Sequence, residues 1–253
     1  MGNAVVRSRF QGVTNIIRFN WPFYVWALGL LAALLLATAF TEGRSRMVSL
    51  VLLIVMMVPI VVSLAVSWYV YDLSGLYEMK WLDGLDAKRI VNVNAGFDET
   101  SAIVKQRYPE ADLVVLDFYD AAKHTAPSIK RARNAYAPFP GTHTVNTRHL
   151  PVDDTFADTV LAIMSAHEIR QRDERAAFFI ELRRVLAPDG QLVVIEHLCD
   201  AANLIAYNIG AFHFHSRSTW LETFRAAGLN IERETQVNPF VTAFFLKSHG
   251  TQS

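Results

Sequence analysis

Two adjoining stretches decide the fold: residues 150–169, LPVDDTFADTVLAIMSAHEI, and residues 178–198, FFIELRRVLAPDGQLVVIEHL. In the first stretch, the apolar run 159–164 predicts a buried strand. In the second, apolar residues at helical spacing lead to the turn signal Pro188-Asp189-Gly190 and then to the apolar run 191–196. A strand, a helix and a second strand in this order predict a parallel βαβ unit.

The same alternation continues on both sides of this unit. We predict seven strands, at residues 89–94, 111–116, 143–146, 159–164, 191–196, 230–234 and 240–247. Helical patterns lie between them, at residues 99–107, 126–136, 172–186 and 218–227. This order predicts an α/β fold: a Rossmann-like, doubly wound, mostly parallel seven-stranded sheet with helices on both faces. Ligands bind such sheets at the carboxyl ends of the strands.

The first 73 residues have a different composition. They contain two uncharged runs, residues 23–40 and 47–71, separated only by TEGRSR. A helix needs about 20 apolar residues to cross a bilayer, so we predict a transmembrane hairpin of two helices. The expected domains are a membrane anchor at 1–73, a connecting interfacial segment at 74–88 and a catalytic domain at 89–253. Buried core helices are the alternative interpretation of the two runs.

Flanking charges orient the hairpin. Arg7, Arg9 and Arg18 precede the first run, whereas the connecting loop has a net charge of only +1. The positive-inside rule then places the N-terminus and the catalytic domain in the cytoplasm, on either side of two spans. Small residues in the first run would allow close helix packing and therefore a homo-oligomer. These residues are Gly29, Ala32, Ala33 and Ala37.

Composition excludes several classes of protein. The 180 residues after position 73 carry 19 of the 24 basic and 22 of the 24 acidic groups, a net charge of −3. Nucleic-acid binders need a basic face, so we predict no nucleic-acid partner. The one cysteine, Cys199, excludes an intramolecular disulfide framework and a zinc site made of several cysteines.

The stretch from Leu150 to Leu198 resembles class I S-adenosylmethionine-dependent methyltransferases, in particular the branch with small-molecule and quinone methyltransferases. The family pattern has Leu-Pro, an Asp-x-x-Phe-Asp-like entry to the fourth strand, and a helix ending in Arg-Val-Leu-x-Pro-Gly-Gly. Here Pro188-Asp189-Gly190 stands in place of Pro-Gly-Gly. The resemblance covers residues 85–247. It implies S-adenosyl-L-methionine as cofactor and S-adenosyl-L-homocysteine as product. Together with the anchor, it implies a hydrophobic small-molecule or lipid-like methyl acceptor.

The resemblance also implies where the cofactor binds. The family usually has an acidic residue and Gly-x-Gly-x-Gly after the first strand, whereas residues 92–98 read NVNAGFD and keep only Gly96. Asp117 would accept hydrogen bonds from the ribose hydroxyls, Phe118 would stack on the adenine, and Asp98 would bind the amino group. The expected cofactor-binding residues are Asn92, Asn94, Gly96, Asp98, Asp117, Phe118 and Thr147.

Histidines follow the ends of two predicted strands, and a nearby loop carries two more. Histidine is the natural base near neutral pH for an oxygen nucleophile. Glu196 and His197 end the fifth strand, and His215 lies in the loop beyond it. We predict catalytic roles among His167, Glu168, His197 and His213. A metal site made of His213, His215, His197 and Glu168 is the alternative, but no His-Glu-x-x-His helix is present, and we predict no metal.

Two other functions compete with methyl transfer. The missing loop glycines favour an inactive, methyltransferase-like scaffold or binding module in a membrane complex. A nicotinamide-dependent reductase is disfavoured because the chain lacks a full Gly-x-Gly-x-x-Gly, and because no lysine follows Tyr207 four residues later. Leu76, Tyr77, Trp81 and Leu82 have helical spacing and predict an interfacial helix or lid over the site.

Overall fold

The computed structural model describes residues 7–85, 88–124 and 126–248. Its centre is a seven-stranded sheet with the strand order β3-β2-β1-β4-β5-β7-β6, in which β7 runs antiparallel to its neighbours. The strands are β1 (Arg89–Asn94), β2 (Asp112–Asp117), β3 (His143–Thr144), β4 (Ala157–Ile163), β5 (Leu186–His197), β6 (Leu229–Asn238) and β7 (Val241–Ser248). The predicted α/β fold is confirmed.

Eight α-helices accompany the sheet in the described residues. They are α1 (Gln11–Phe19), α2 (Trp21–Phe40), α3 (Gly43–Trp68), α4 (Ser101–Arg107), α5 (Pro127–Ala135), α6 (Arg172–Val185), α7 (Ala201–Tyr207) and α8 (Arg217–Ala226). The sequence predicted neither α1 nor α7.

Both faces of the sheet are covered, which explains the continuous apolar runs of its central strands. On one face, Phe178 and Phe179 of α6 pack with Trp220 and Phe224 of α8. On the other face, the strands pack against the chain that follows α3, through buried residues of that segment. These are Val70, Leu76, Met79 and Leu82. Residues 76–82 form two short 3-10 turns that belong to the core, rather than one interfacial helix.

The predicted turn at Pro188-Asp189-Gly190 lies inside strand β5. Leu186 pairs with Ala157 and Gln191 pairs with Thr159, so the residues between them form a bulge in the ladder. A Cβ atom on Gly190 would lie 2.9 Å from the carbonyl oxygen of Ala157. Glycine is therefore needed at this close backbone approach.

Helices α2 and α3 form the expected hairpin. Their most apolar windows have mean hydropathies of 2.1 and 2.9, and these windows are 6% and 0% buried. By length and composition, both helices can cross a membrane. The helices span Trp21–Phe40 and Gly43–Trp68, and Tyr69–Leu73 continue as a π-helical turn.

Helix α1 lies against the end of the hairpin and is held there by its first turn. The Asp72 carboxylate accepts hydrogen bonds from the backbone N–H groups of Gly12 (2.7 Å) and Val13 (3.0 Å). These bonds satisfy two of the four N–H groups that a helix leaves unpaired at its start. A Cβ atom on Gly12 would lie 2.3 Å from Cβ of Tyr71, so glycine allows the close contact.

Candidate active site

A cavity of about 260 Å³ lies at the carboxyl ends of β1 and β4. Most of its lining is apolar: Ile16, Phe19, Leu76, Met79, Ile163, Met164 and Phe214. The polar groups among the lining residues include Asn94, Glu99, His167, Glu168 and His197. The strand-end prediction therefore placed several candidate residues around one cavity.

The loop after β1 carries unpaired polar atoms. Asn94 Oδ1 accepts a hydrogen bond from the Gly96 N–H at 3.0 Å, and Asp98 Oδ1 accepts one from the Ser101 N–H at 2.9 Å. The second polar atom of each side chain, Asn94 Nδ2 and Asp98 Oδ2, is buried and has no partner among the described residues. One free donor and one free acceptor fit the carboxylate and the ammonium group of the methionine end of S-adenosylmethionine.

Asp117 lies at the end of β2, directly across from Asn94. Its Oδ2 accepts a hydrogen bond from Arg133 Nη1 at 2.6 Å, and its Oδ1 accepts one from the Tyr119 N–H at 2.9 Å. The Arg133 guanidinium also lies over the Tyr119 ring, 4.3 Å from its centre. Arg133 therefore donates a hydrogen bond to Asp117, the carboxylate that we expect to accept hydrogen bonds from the ribose hydroxyls.

The same arginine covers Gly96. Gly96 has φ +95°, and a Cβ atom there would lie 2.6 Å from Arg133 Nη1 and 2.9 Å from Tyr119 Cβ. A second cavity of about 50 Å³ remains between Asn94, Gly96 and Asp117. The glycine thus allows Arg133 and Tyr119 to lie close to the loop backbone, and its role toward the cofactor stays a prediction.

Three of the expected cofactor residues face other groups. Asn92 is buried and its Nδ2 donates to the hydroxyls of Thr100 and Ser101, which ties β1 to the start of α4. Phe118 packs in the core against Phe178, with ring centres 4.9 Å apart, and is 2% exposed, so its ring does not present a face for stacking. Thr147 donates to Glu174 at 2.5 Å and lines neither cavity.

His167 has a buried carboxylate partner. Its Nδ1 lies 2.6 Å from Glu196 Oε2, and Glu196 is completely buried. Burial alone would lower the pKa of His167, but the charge of Glu196 and its hydrogen bond outweigh burial and raise that pKa. The pairing fixes the ring so that Nε2 points away from Glu196.

Glu168 lies between His167 and His213. Its Oε1 is 3.6 Å from His167 Nε2 and 3.2 Å from His213 Nε2. Burial would raise the pKa of Glu168, but the hydrogen bond from His213 and the nearby His167 lower it to about 2. The carboxylate is therefore ionised throughout the physiological range.

His197 has different surroundings. Its Nδ1 donates to the backbone oxygen of Phe240 at 2.8 Å, and its Nε2 accepts from the Tyr71 hydroxyl at 2.9 Å. Burial lowers its pKa to about 4. With both nitrogens engaged, His197 is poorly suited as a base at neutral pH. His215 is buried beside Arg175 and lines neither cavity.

Sequence reasoning missed the Glu99 carboxylate in the cavity wall. Its oxygens accept hydrogen bonds from the α1 side of the chain and from Tyr77 (2.9 Å). The α1-side donors are Arg7 (2.8 Å), Gln11 (3.1 Å) and Asn15 (3.2 Å). One sequence signal points to this contact: Gly12, Asn15 and Phe19 have helical spacing, which predicts a helix with one face packed against the domain. The pairing of Arg133 with Asp117 has no such signal.

Comparison with known proteins agrees with this geometry. Residues 91–194 match the family described as Methyltransferase domain. Among solved structures, the mitomycin 7-O-methyltransferase superposes with a TM-score of 0.56 at 16% identity, over 97% of this chain and 74% of that chain. A protein from Pyrococcus horikoshii OT3 superposes with a TM-score of 0.53 at 15% identity, over 72% of this chain and 92% of that chain. Comparison with curated proteins gives no match.

The two structural likenesses concern the fold, and the family match concerns the central strands and α6. The glycine loop after β1 and the acidic residue ending β2 lie in the matched part of the chain, whereas β6 and the antiparallel β7 follow it. Residues 91–194 therefore match a methyltransferase domain and lie in a sheet of the class I methyltransferase type, and the two findings together support S-adenosylmethionine as the cofactor.

Proposed function

We propose that the protein is a membrane-anchored methyltransferase that transfers a methyl group from S-adenosylmethionine to a hydrophobic small molecule. The observation that carries the proposal is the cavity at the carboxyl ends of β1 and β4, because it joins the glycine loop to an apolar chamber. S-Adenosylmethionine supplies an electrophilic methyl group on a sulfonium ion.

The cofactor would be held by three side chains at the ends of β1 and β2. Asn94 Nδ2 offers a donor to the methionine carboxylate, and Asp98 Oδ2 offers an acceptor to its ammonium group. Asp117 would accept from the ribose hydroxyls once its hydrogen bond from Arg133 is released. Gly96 keeps the backbone close enough for these contacts.

The acceptor would lie against the other half of the cavity, where His167 and Glu168 line the wall. Glu196 orients the His167 ring and raises the pKa of His167, so this imidazole takes up a proton more readily than a free histidine does. These two side chains are therefore the polar groups that meet the acceptor. Positioning of the reacting atoms would supply most of the rate enhancement.

A hydrophobic acceptor is supported by what surrounds the cavity. Helix α1 contributes Ile16 and Phe19 to its wall, and the chain leaving α3 contributes Tyr71 and Leu76. The wall is thus continuous with the helices that can cross a membrane. A quinone-like ring, a polyene or a fatty acyl compound dissolved in the bilayer would reach such a chamber directly.

The first test is calorimetric titration of the detergent-solubilised full chain with S-adenosylhomocysteine. We expect binding by the wild type and at least roughly tenfold weaker binding by Asp117→Asn, because a buried acceptor is lost. Asp154→Asn is the matched control, since Asp154 is an exposed carboxylate paired with Arg184. Transfer of a labelled methyl group into a membrane lipid extract would then identify the acceptor.

Absence of binding by the wild type would contradict the proposal. In that case the departure of the loop from Gly-x-Gly-x-Gly would favour the scaffold function, and the search would turn to proteins that copurify with the membrane-bound chain.

A further inference from the structure

Three side chains at the end of β4 and in the loop after α7 form a potential metal-binding cluster. The side-chain donor atoms of His167, Glu168 and His213 all lie within 4.8 Å of one another. Ligand atoms about 2.1 Å from one ion lie roughly 3.0–3.4 Å apart. The two measured separations from Glu168 Oε1, 3.2 Å and 3.6 Å, are close to that range.

The ring of His167 is oriented as a metal ligand would be. Histidines that bind metals almost always donate their other ring N–H to a carboxylate or a carbonyl, which fixes the tautomer. Here His167 Nδ1 is paired with Glu196 at 2.6 Å, so Nε2 carries the lone pair on the side of Glu168. The completely buried Glu196 thus supplies an outer-shell partner that the cluster alone would lack.

The local charge also suits a dication. Glu168 and Glu196 each contribute one negative charge, and Arg170 contributes one positive charge nearby. The Arg170 guanidinium is bound to the backbone oxygens of His213 and Phe212, which holds the loop of His213 against the turn of His167. With both imidazoles neutral, as they are when they bind a metal, the cluster has a net charge of −1 and a braced geometry.

We propose that His167, Glu168 and His213 bind a first-row transition-metal dication in the cavity wall. Two imidazoles and one carboxylate favour Zn²⁺, Fe²⁺, Co²⁺ or Mn²⁺ over the harder Mg²⁺ and Ca²⁺. His167 and Glu168 line the cavity, so an ion bound to them would lie beside the chamber. This inference rests on the proposed function, which it deepens: the methyl acceptor would carry an oxygen atom that the ion holds.

The test is titration of metal-stripped, detergent-solubilised full chain with Co²⁺, followed through its visible absorption, with elemental analysis for stoichiometry. We expect one Co²⁺ per chain, and a loss of affinity of roughly tenfold or more in His213→Ala and in Glu168→Gln. His143→Ala and Glu222→Gln are matched controls, since both side chains are exposed and outside the cluster. These controls should bind Co²⁺ as the wild type does.

Equal Co²⁺ affinity in the wild type, His213→Ala and Glu168→Gln would overturn the proposal. It would also be overturned if the wild type bound no Co²⁺ while its unfolding temperature was the same before and after metal stripping. Unfolding temperatures of the metal-free variants separate a lost ligand from a lost fold. S-Adenosylhomocysteine binding is measured on the same wild-type sample. Binding of S-adenosylhomocysteine without binding of Co²⁺ would support the proposed methyltransferase function and reject the metal site. Binding of Co²⁺ without binding of S-adenosylhomocysteine would support the metal site and reject the proposed function.

Discussion

At the scale of single residues, Gly96 combines a positive φ with close neighbours in the loop after β1, which we propose binds the cofactor. We expect Gly96→Ala to lower the free energy of unfolding by about 1–3 kcal/mol, because the new Cβ adds close contacts with Arg133 and Tyr119 to a positive φ. Gly141→Ala is the matched control: Gly141 has φ +81° with nothing within 4 Å, so it isolates the backbone strain. Denaturant unfolding measures both variants, and equal losses of stability would show that the contacts with Arg133 and Tyr119 contribute nothing.

In the proposed site, Arg133 competes with the cofactor for Asp117. We expect Arg133→Ala to bind S-adenosylhomocysteine several-fold more tightly, because Asp117 Oδ2 and the space above Gly96 become free. Calorimetric titration measures this, with the exposed neighbour Lys130→Ala on the same helix as control. Weaker binding by Arg133→Ala would mean that Arg133 is a cofactor contact and not a competitor.

Two buried histidines make stability depend on pH. Burial lowers the pKa of His197 to about 4 and that of His215, beside Arg175, to about 3. Between an unfolded pKa of about 6.5 and those values, the unfolded chain binds more protons, so stability falls as pH falls. His167, whose pKa is raised, acts with the opposite sign: its contribution is present below the unfolded pKa and is lost as pH rises through the folded value.

We therefore expect His215→Gln to flatten the acid side of the stability profile. The loss of stability between neutral pH and about pH 5.5 should shrink by about 1 kcal/mol, because one titrating group is removed. Gln can still accept from Arg175. Unfolding temperatures across this pH range measure the effect, and an unchanged slope would show that His215 is protonated in the folded chain.

At the scale of elements, sequence reasoning worked where one physical pattern dominates. The strands buried on both faces, such as β1 and β4, are continuous apolar runs and were predicted within two residues of their ends. The parallel order then brought His167 and His197 to one cavity. Helix α1 was missed because it is only nine residues long and gains its stability from Asp72, about sixty residues away.

Partners distant in sequence make most of the site contacts that local sequence patterns do not predict. No sequence pattern near Asp117 predicts its hydrogen bond with Arg133, and none near Glu99 predicts its hydrogen bond with Arg7. Phe118 stands at the position where the family resemblance implies a residue that stacks on the adenine. Its ring packs instead in the core against Phe178 of α6. Local patterns place a residue at a strand end, but the packing of other elements decides which way its side chain turns.

Helix α1 gives a prediction at this scale. Asp72→Ala should lower the free energy of unfolding by about 1 kcal/mol, because the N–H groups of Gly12 and Val13 lose their acceptor. The amides of residues 11–19 should then exchange faster with deuterium, while those of β4 keep their protection. Asp153→Ala, at an exposed position, is the control. Unchanged exchange in α1 would show that the contacts of Asn15 and Phe19 hold the helix without its cap.

At the scale of the whole molecule, the segment that follows the two apolar helices is part of the core of the α/β domain. The chain leaving α3 enters the core beneath the sheet with Val70 and Leu76, and its Tyr71 reaches His197 in the cavity wall. A hairpin inserted in a bilayer would thus keep the cavity close to the lipid headgroups. The alternative of soluble-protein helices requires another surface to cover α2 and α3, because almost none of the residues in the two apolar windows is buried.

Membrane topology can separate these arrangements. With Cys199→Ser as background, we expect Ser45→Cys, at the tip of the hairpin, to react with a membrane-impermeant maleimide on intact bacterial cells. Asp153→Cys, on the exposed surface of the domain, should react only after lysis, because the positive-inside rule keeps the domain in the cytoplasm. Labelling of Asp153→Cys on intact cells would reverse the orientation. Recovery of both variants in the soluble fraction would show that α2 and α3 are covered by protein and not by lipid.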